Sequence, residues 1–184
     1  MTSNFSEVFG INEYCGPAVL SALTGKSTDL CAAVISAVSG KNVIKAVEYN
    51  HLLEAIKRLN FEAQIVSIPA RSLFGVISAL INIDSKYIIA VPNHYVAVEI
   101  ISKTAFFIDN HTKQPMNAIA SARLTQEVKM VWRVKAKSQE EIKKEQETGR
   151  KIWLNQQISS LNYQIGNLVA RRDEYERELD KFSS

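Results

Sequence analysis

Along this chain the spacing of apolar and polar positions changes character twice. After a polar opening, "CGPAVLSALTG" is a nearly unbroken helix-forming run. Pro17 sits in the first turn, where its missing N–H costs nothing, and Gly25 can stop the helix. "STDLCAAVISAVSG" offers Ser27, Thr28 or Asp29 as an N-cap and Gly40 as a stop, which predicts a second helix. In "YNHLLEAIKRLN" Leu52, Leu53, Ile56 and Leu59 recur at helical intervals, and "FEAQIVSI" then alternates like a strand. "ARSLFGVISALIN" predicts one more helix after Pro69. From there the runs "KYIIAV", "HYVAVEII", "TAFFIDN" and "EVKMVWRV" are short, rich in β-branched and aromatic residues, and separated by turn material such as "PN" and "SK". Helices followed by strands predict an α+β domain over residues 1–136, with helices packed on an antiparallel sheet.

The second change comes after the strands. Residues 137–150 are strongly polar and contain Gly149, the pattern of a linker or a solvated helix. Over residues 151–184 the apolar positions then advance in alternating steps of four and three, a heptad repeat. Leu154, Leu161, Leu168, Tyr175 and Phe182 take the d positions, and Ile158, Ile165, Arg172 and Leu179 the a positions. Ile at a with Leu at d favours a parallel two-stranded coiled coil, in which Arg172 is a polar interruption that costs stability and sets register. The segment is expected to pair with a second copy of itself or with a partner helix. An amphipathic helix folded back on the first domain is the alternative.

Composition narrows the class. The 184 residues allow one core with an appendage, and 46% hydrophobic with 22% charged residues is the balance of a soluble globular protein. A net charge of +3, with basic and acidic residues interspersed, does not point to a nucleic-acid partner. No apolar run approaches bilayer-spanning length, and "TSNFSEV" lacks the basic and apolar segments of an export signal. The expectation is a cytoplasmic protein without a membrane partner, or alternatively a component of a virus particle. Cys15 and Cys31 make neither a disulfide framework nor a metal-ligand pattern, so no metal or other cofactor is expected.

The candidate chemistry begins with Cys15, because a helix N-terminus favours a thiolate over a thiol. Cys31, among Leu30, Ala32, Ala33 and Val34, reads as packing. A nucleophilic cysteine needs a base, and His94 opens one predicted strand while Asp109 closes the next. With period two, His94 shares a face with Val96, Val98 and Ile100, and Asp109 with Phe107 and Ala105. A four-residue hairpin loop, pairing Glu99 with Thr104, would put His94 opposite Asp109. A two-residue Ser102-Lys103 loop would put Val96 opposite Asp109 and leave His94 diagonal to it. Either places imidazole and carboxylate on one face. Each residue alone has an ordinary explanation: a core thiol, a surface histidine, an aspartate in a turn. Together, Cys15, His94 and Asp109 form a candidate triad in which the carboxylate orients the imidazole and the imidazole deprotonates the thiol.

"EYCGPAVLSALTG", "NHYVAVEI" and "AFFIDN" resemble the papain-like cysteine peptidase superfamily, and within it most the bacteriocin-processing peptidases that cleave double-glycine leaders. The resemblance covers about residues 10–134 of the sequence. It implies a papain-like fold, a peptide or protein substrate, Cys15 as nucleophile, His94 as general base and acid, and Asp109 as the orienting residue. Asn110 and His111 are alternatives for the orienting role. Those peptidases usually carry a Gln several residues before the Cys to donate into the oxyanion hole, and "SEVFGINEYC" has none. Asn12 is the nearest side-chain amide and the candidate replacement. Loss of one such donor costs about 100- to 1,000-fold in rate, so the departure bears on turnover more than on fold. Two functions are therefore carried forward. One is a cysteine peptidase acting on a peptide or isopeptide bond, oligomerised or docked through its C-terminal helix. The other is a weakly active or inactive papain-like interaction protein in a larger assembly such as a phage virion.

Overall fold

A computed structural model describes residues 2–42 and 44–182. The chain divides into two compact units between Lys137 and Ser138.

In the first unit, α1 (Cys15–Thr24), α2 (Thr28–Ser39) and α3 (Tyr49–Arg58) precede β1 (Phe61–Ile65) and α4 (Leu73–Leu80). Then come β2 (Ser85–Val91), β3 (His94–Ile101), β4 (Thr104–Ile108), β5 (Met116–Asn117) and β6 (Met130–Ala136). Among the described residues the strands form one antiparallel sheet in the order β1-β6-β2-β3-β4-β5. This is the predicted α+β arrangement of helices on an antiparallel sheet. Local chemistry sets the helix ends: Ser27 caps α2 by accepting the Leu30 N–H, Ser72 caps α4 through the Gly75 N–H, and Gly25 and Gly40 end α1 and α2 in the left-handed region.

Helices cover both faces of the sheet. On one face Ile88, Ala90, Tyr95, Ala97, Ile108 and Trp132 pack with α1, α2 and α3. On the other, Tyr87, Ile89, Val91, Val96, Val98 and Phe107 pack with Leu73, Val76, Ile77 and Leu80 of α4. A central strand buried on both sides keeps no polar face, which is why β2 and β3 read as continuous apolar runs rather than alternating ones.

The hairpins fix the register around the site. Pro92 and Asn93, the latter at φ 59°, turn β2 into β3 so that Val91 faces His94. Ser102 and Lys103, both with positive φ, turn β3 into β4 with Ile101 paired to Thr104, so the hairpin uses its two-residue loop. Some elements differ from the sequence reading, among them β1, which ends at Ile65. α4 starts at Leu73 because the Ser72 cap fixes its first turn, and β6 runs from Met130 to Ala136 because its partners Ile65 to Phe61 and Ala90 to Lys86 lie there. β5 and the following 3-10 turn (Ala118–Ala120) have no counterpart in the local pattern; Met116 and Asn117 are extended because they pair with Phe107 and Phe106.

An N-terminal strap leads to the site. Ser3 Oγ and the Asn4 N–H donate to the buried Glu99 carboxylate at 2.6 and 2.7 Å, and Lys86 Nζ donates to the Asn4 carbonyl at 2.9 Å. Further along, the Ser6 N–H reaches the Ala22 carbonyl and the Thr28 N–H the Phe9 carbonyl. The Ile11 and Asn12 N–H groups then bind the two oxygens of Asp29.

The second unit is a single helix, α5 (Gln139–Phe182), so the polar stretch after the strands is helical and continuous with the heptads. Ser138 starts it with a reciprocal cap: Ser138 Oγ accepts the Glu141 N–H and Glu141 Oε2 accepts the Ser138 N–H. Residues 183 and 184 of the expected coiled-coil segment, and the side chains of Asp180 and Phe182, lie outside the described residues.

Candidate active site

Cys15 is the first residue of α1, and Tyr14, at the N-cap, gives that helix no side-chain cap. The helix therefore presents free N–H groups where the thiol sits. Gly16 allows the close approach this requires, because a Cβ there would lie 2.6 Å from Val47 Cγ2. Val47 belongs to the segment that walls a cleft of about 660 Å³, lined by Cys15, His94, Tyr95, Tyr49 and Val91 among others. Tyr95 braces that wall by donating its hydroxyl to the Val47 carbonyl at 2.8 Å.

His94 Nε2 lies 2.9 Å from Asp109 Oδ2. The two-residue hairpin makes this a diagonal contact across β3 and the end of β4. With Nε2 committed, Nδ1 is the ring nitrogen left for the Cys15 thiol, which lines the same cleft as His94. Asp109 is 1% exposed and fully used: Oδ1 accepts the backbone N–H groups of His111 and Thr112 at 2.8 and 2.9 Å, and Oδ2 accepts both His94 and Arg123 Nε, the latter at 3.2 Å.

The electrostatics are mutual. Burial alone pushes the Cys15 thiol up, but the His94 hydrogen bond and charge, with backbone hydrogen bonds from Tyr95 and Gly16, outweigh it and leave the thiol below its ordinary pKa. Burial pushes the His94 imidazole down, while the hydrogen bonds to Asp109 and Cys15 and the thiolate charge raise it, for a net rise opposed by Arg123. For Asp109, burial is again overcome, here by His94 and the Thr112 and His111 amides, which hold the carboxyl well below the usual carboxylate range. Cys31 is the contrast: fully buried, its thiol is pushed up to about 11 by burial.

The Asp109 shift has a sign that can be tested. A carboxyl held low in the folded protein stabilises the fold above its unfolded pKa of about 3.9, and that contribution is lost as pH falls through the folded value. In urea denaturation, wild-type protein is expected to lose more stability than Asp109→Asn as the pH is lowered below about 4. Equal losses would show that Asp109 is not the stabilised carboxylate.

The remaining candidates are placed differently. Asn12 turns its Oδ1 onto the Tyr14 N–H at 3.1 Å, which leaves Nδ2 as its donor. Asn110 Nδ2 donates to the Glu13 carbonyl at 2.8 Å and ties the segment after β4 to the loop before Cys15. His111 stacks on His94, centroids 5.9 Å apart. Sequence reasoning missed Arg123, since a lone arginine in "SARLTQ" carries no local signal that it folds back on Asp109. Among the described residues, no group of three or more His, Cys, Asp or Glu side chains is arranged to hold a metal ion.

No protein-family model and no curated protein matches this chain. Among solved structures, the peptidase domain of Streptococcus ComA, a bifunctional ABC transporter involved in quorum sensing, aligns with 73% of this chain and 100% of its own, at a TM-score of 0.50 and 18% identity. A double-glycine-motif protease from an AMS/PCAT transporter, in complex with the leader peptide, aligns with 72% of this chain and 91% of its own, at a TM-score of 0.47 and 15% identity. At such identity the ComA likeness establishes a shared fold: the first unit has the architecture of a papain-like peptidase domain.

Proposed function

We propose that this chain is a cysteine peptidase acting on a peptide or isopeptide bond. The observation that carries the reading is the cleft lined by both Cys15 and His94, with His94 held 2.9 Å from the buried Asp109 carboxylate. The Cys15 thiolate attacks the carbonyl carbon, and the His94 imidazolium then gives its proton to the departing amine, leaving an acyl-enzyme. Water, deprotonated by His94, releases the acid and restores the thiol. The Cys15 N–H and Asn12 Nδ2 are the donors for the oxyanion. A proteome-derived peptide library incubated with wild-type protein should yield new N-termini by mass spectrometry that Cys15→Ala does not produce. Absence of Cys15-dependent termini would overturn the peptidase reading in favour of an interaction protein in a larger assembly. The observation favouring that second reading is the loop before Cys15, which lacks the usual Gln.

The tail serves association in either case. Leu154, Ile158, Leu161, Ile165, Leu168, Tyr175 and Leu179 are all exposed along one continuous helix, and a surface helix keeps an apolar seam only when something covers it. The occupant that matches the a and d pattern is the same seam on a second copy.

A further inference from the structure

Asp109 Oδ2 serves two cations, one conditional and one permanent. His94 Nε2 approaches it at 2.9 Å and Arg123 Nε at 3.2 Å, while Oδ1 is saturated by two backbone N–H groups. Arg123 is pinned for this: its N–H donates to Ser121 Oγ, and its carbonyl accepts the Gln126 N–H at 2.9 Å. Its side chain is three-quarters covered, so the charge is only partly screened by water.

An imidazole backed by a carboxylate that had no other cation would hold its proton tightly. That stabilises the thiolate but delays the step in which the proton passes to the departing amine. A guanidinium on the same oxygen draws off part of the carboxylate charge and repels an imidazolium. We infer that Arg123 is a positioning residue that acts through Asp109, locking the carboxylate rotamer and keeping the His94 imidazolium acidic enough to give up its proton. The catalytic meaning of this role rests on the peptidase reading; the Arg123–Asp109–His94 coupling does not. Among the described residues, the other ionisable groups around His94 are Cys15 from α1, His111 stacked on its ring, and Lys45, Glu48, Tyr49 and Tyr95 in the lining of the same cleft.

The test is a titration of the His94 ring nitrogens by NMR in the full chain. In Arg123→Gln, and in Arg123→Met, which keeps the apolar stem, the imidazolium should persist to a pH higher by about half a unit or more. Arg123→Lys, which restores the charge, should return the curve toward wild type. An unchanged His94 titration in either neutral variant with native circular dichroism overturns the inference, as does a shift that Lys does not reverse. Iodoacetamide reactivity of Cys15, measured on the same proteins, separates the two readings. A His94 curve that responds while Cys15 stays inert keeps the coupling and removes the peptidase; a reactive Cys15 with an indifferent His94 does the reverse.

Discussion

At pH 6, iodoacetamide is expected to alkylate Cys15 at least ~100-fold faster than Cys31 in the native protein. Ionisation supplies part of this. A thiol at about 11, as at Cys31, holds a hundredth of the thiolate of one at the reference value of 9.0, and Cys15 lies below that reference. The higher intrinsic nucleophilicity of a more basic thiolate returns about half of that difference on a logarithmic scale. Full burial of Cys31 then removes its access to the reagent. His94→Ala takes away the hydrogen bond and charge that hold the Cys15 thiol down and leaves the burial that pushes it up, so its rate at pH 6 should drop about 100-fold. Peptide mapping of the carbamidomethylated protein against time and pH gives both numbers. Equal, slow modification of the two cysteines would remove the activated nucleophile.

The second large effect concerns α5. Its 44 residues extend about 66 Å. Leu161→Asp with Leu168→Asp would place two carboxylates per chain in the proposed seam, where an uncompensated charge costs several kcal/mol. Self-association should therefore weaken by about a thousandfold or more, with the first unit still folded. Sedimentation equilibrium on wild-type and doubly substituted protein decides it: a wild-type monomer at high micromolar concentration would exclude strong self-pairing. Charge offers little help to this pairing. In the free helix Arg172 is already engaged by Asp173 and Glu176 on its own strand of the proposed coil, at exposed positions where such pairs contribute about 0–1 kcal/mol.

The parts of the fold written in periodicity were legible. The helix-to-strand order, the Gly25 and Gly40 stops and the parity that put His94 and Asp109 on one face follow from residues within a few positions of each other. The hairpin illustrates the limit: parity admitted two loops, and only the pairing of Ile101 with Thr104 chooses between them. Features made by distant partners left no such trace. β1 is a neighbour of β6 across the length of the unit, Met116 and Asn117 become a strand only because β4 offers an edge, and Arg123 meets Asp109 through a turn whose composition is unremarkable. Nor did the apolar runs of β2 and β3 reveal that helices lie on both sides of the sheet; they are equally compatible with any doubly covered strand.

The strap from Ser3 to Asn12, tied to Asp29, makes the loop before Cys15 the taut end of a cord whose other end is knotted at Glu99. Freeing Ser3 and Asn4 would strip two donors from a carboxylate that is 2% exposed and leave it only the distant Lys86 ammonium, at 3.9 Å. The slack would run through Ser6 and Phe9 toward Asn12 and Cys15, so a purification handle or a nick by a contaminating protease at this end would be felt in the reactivity of the thiol.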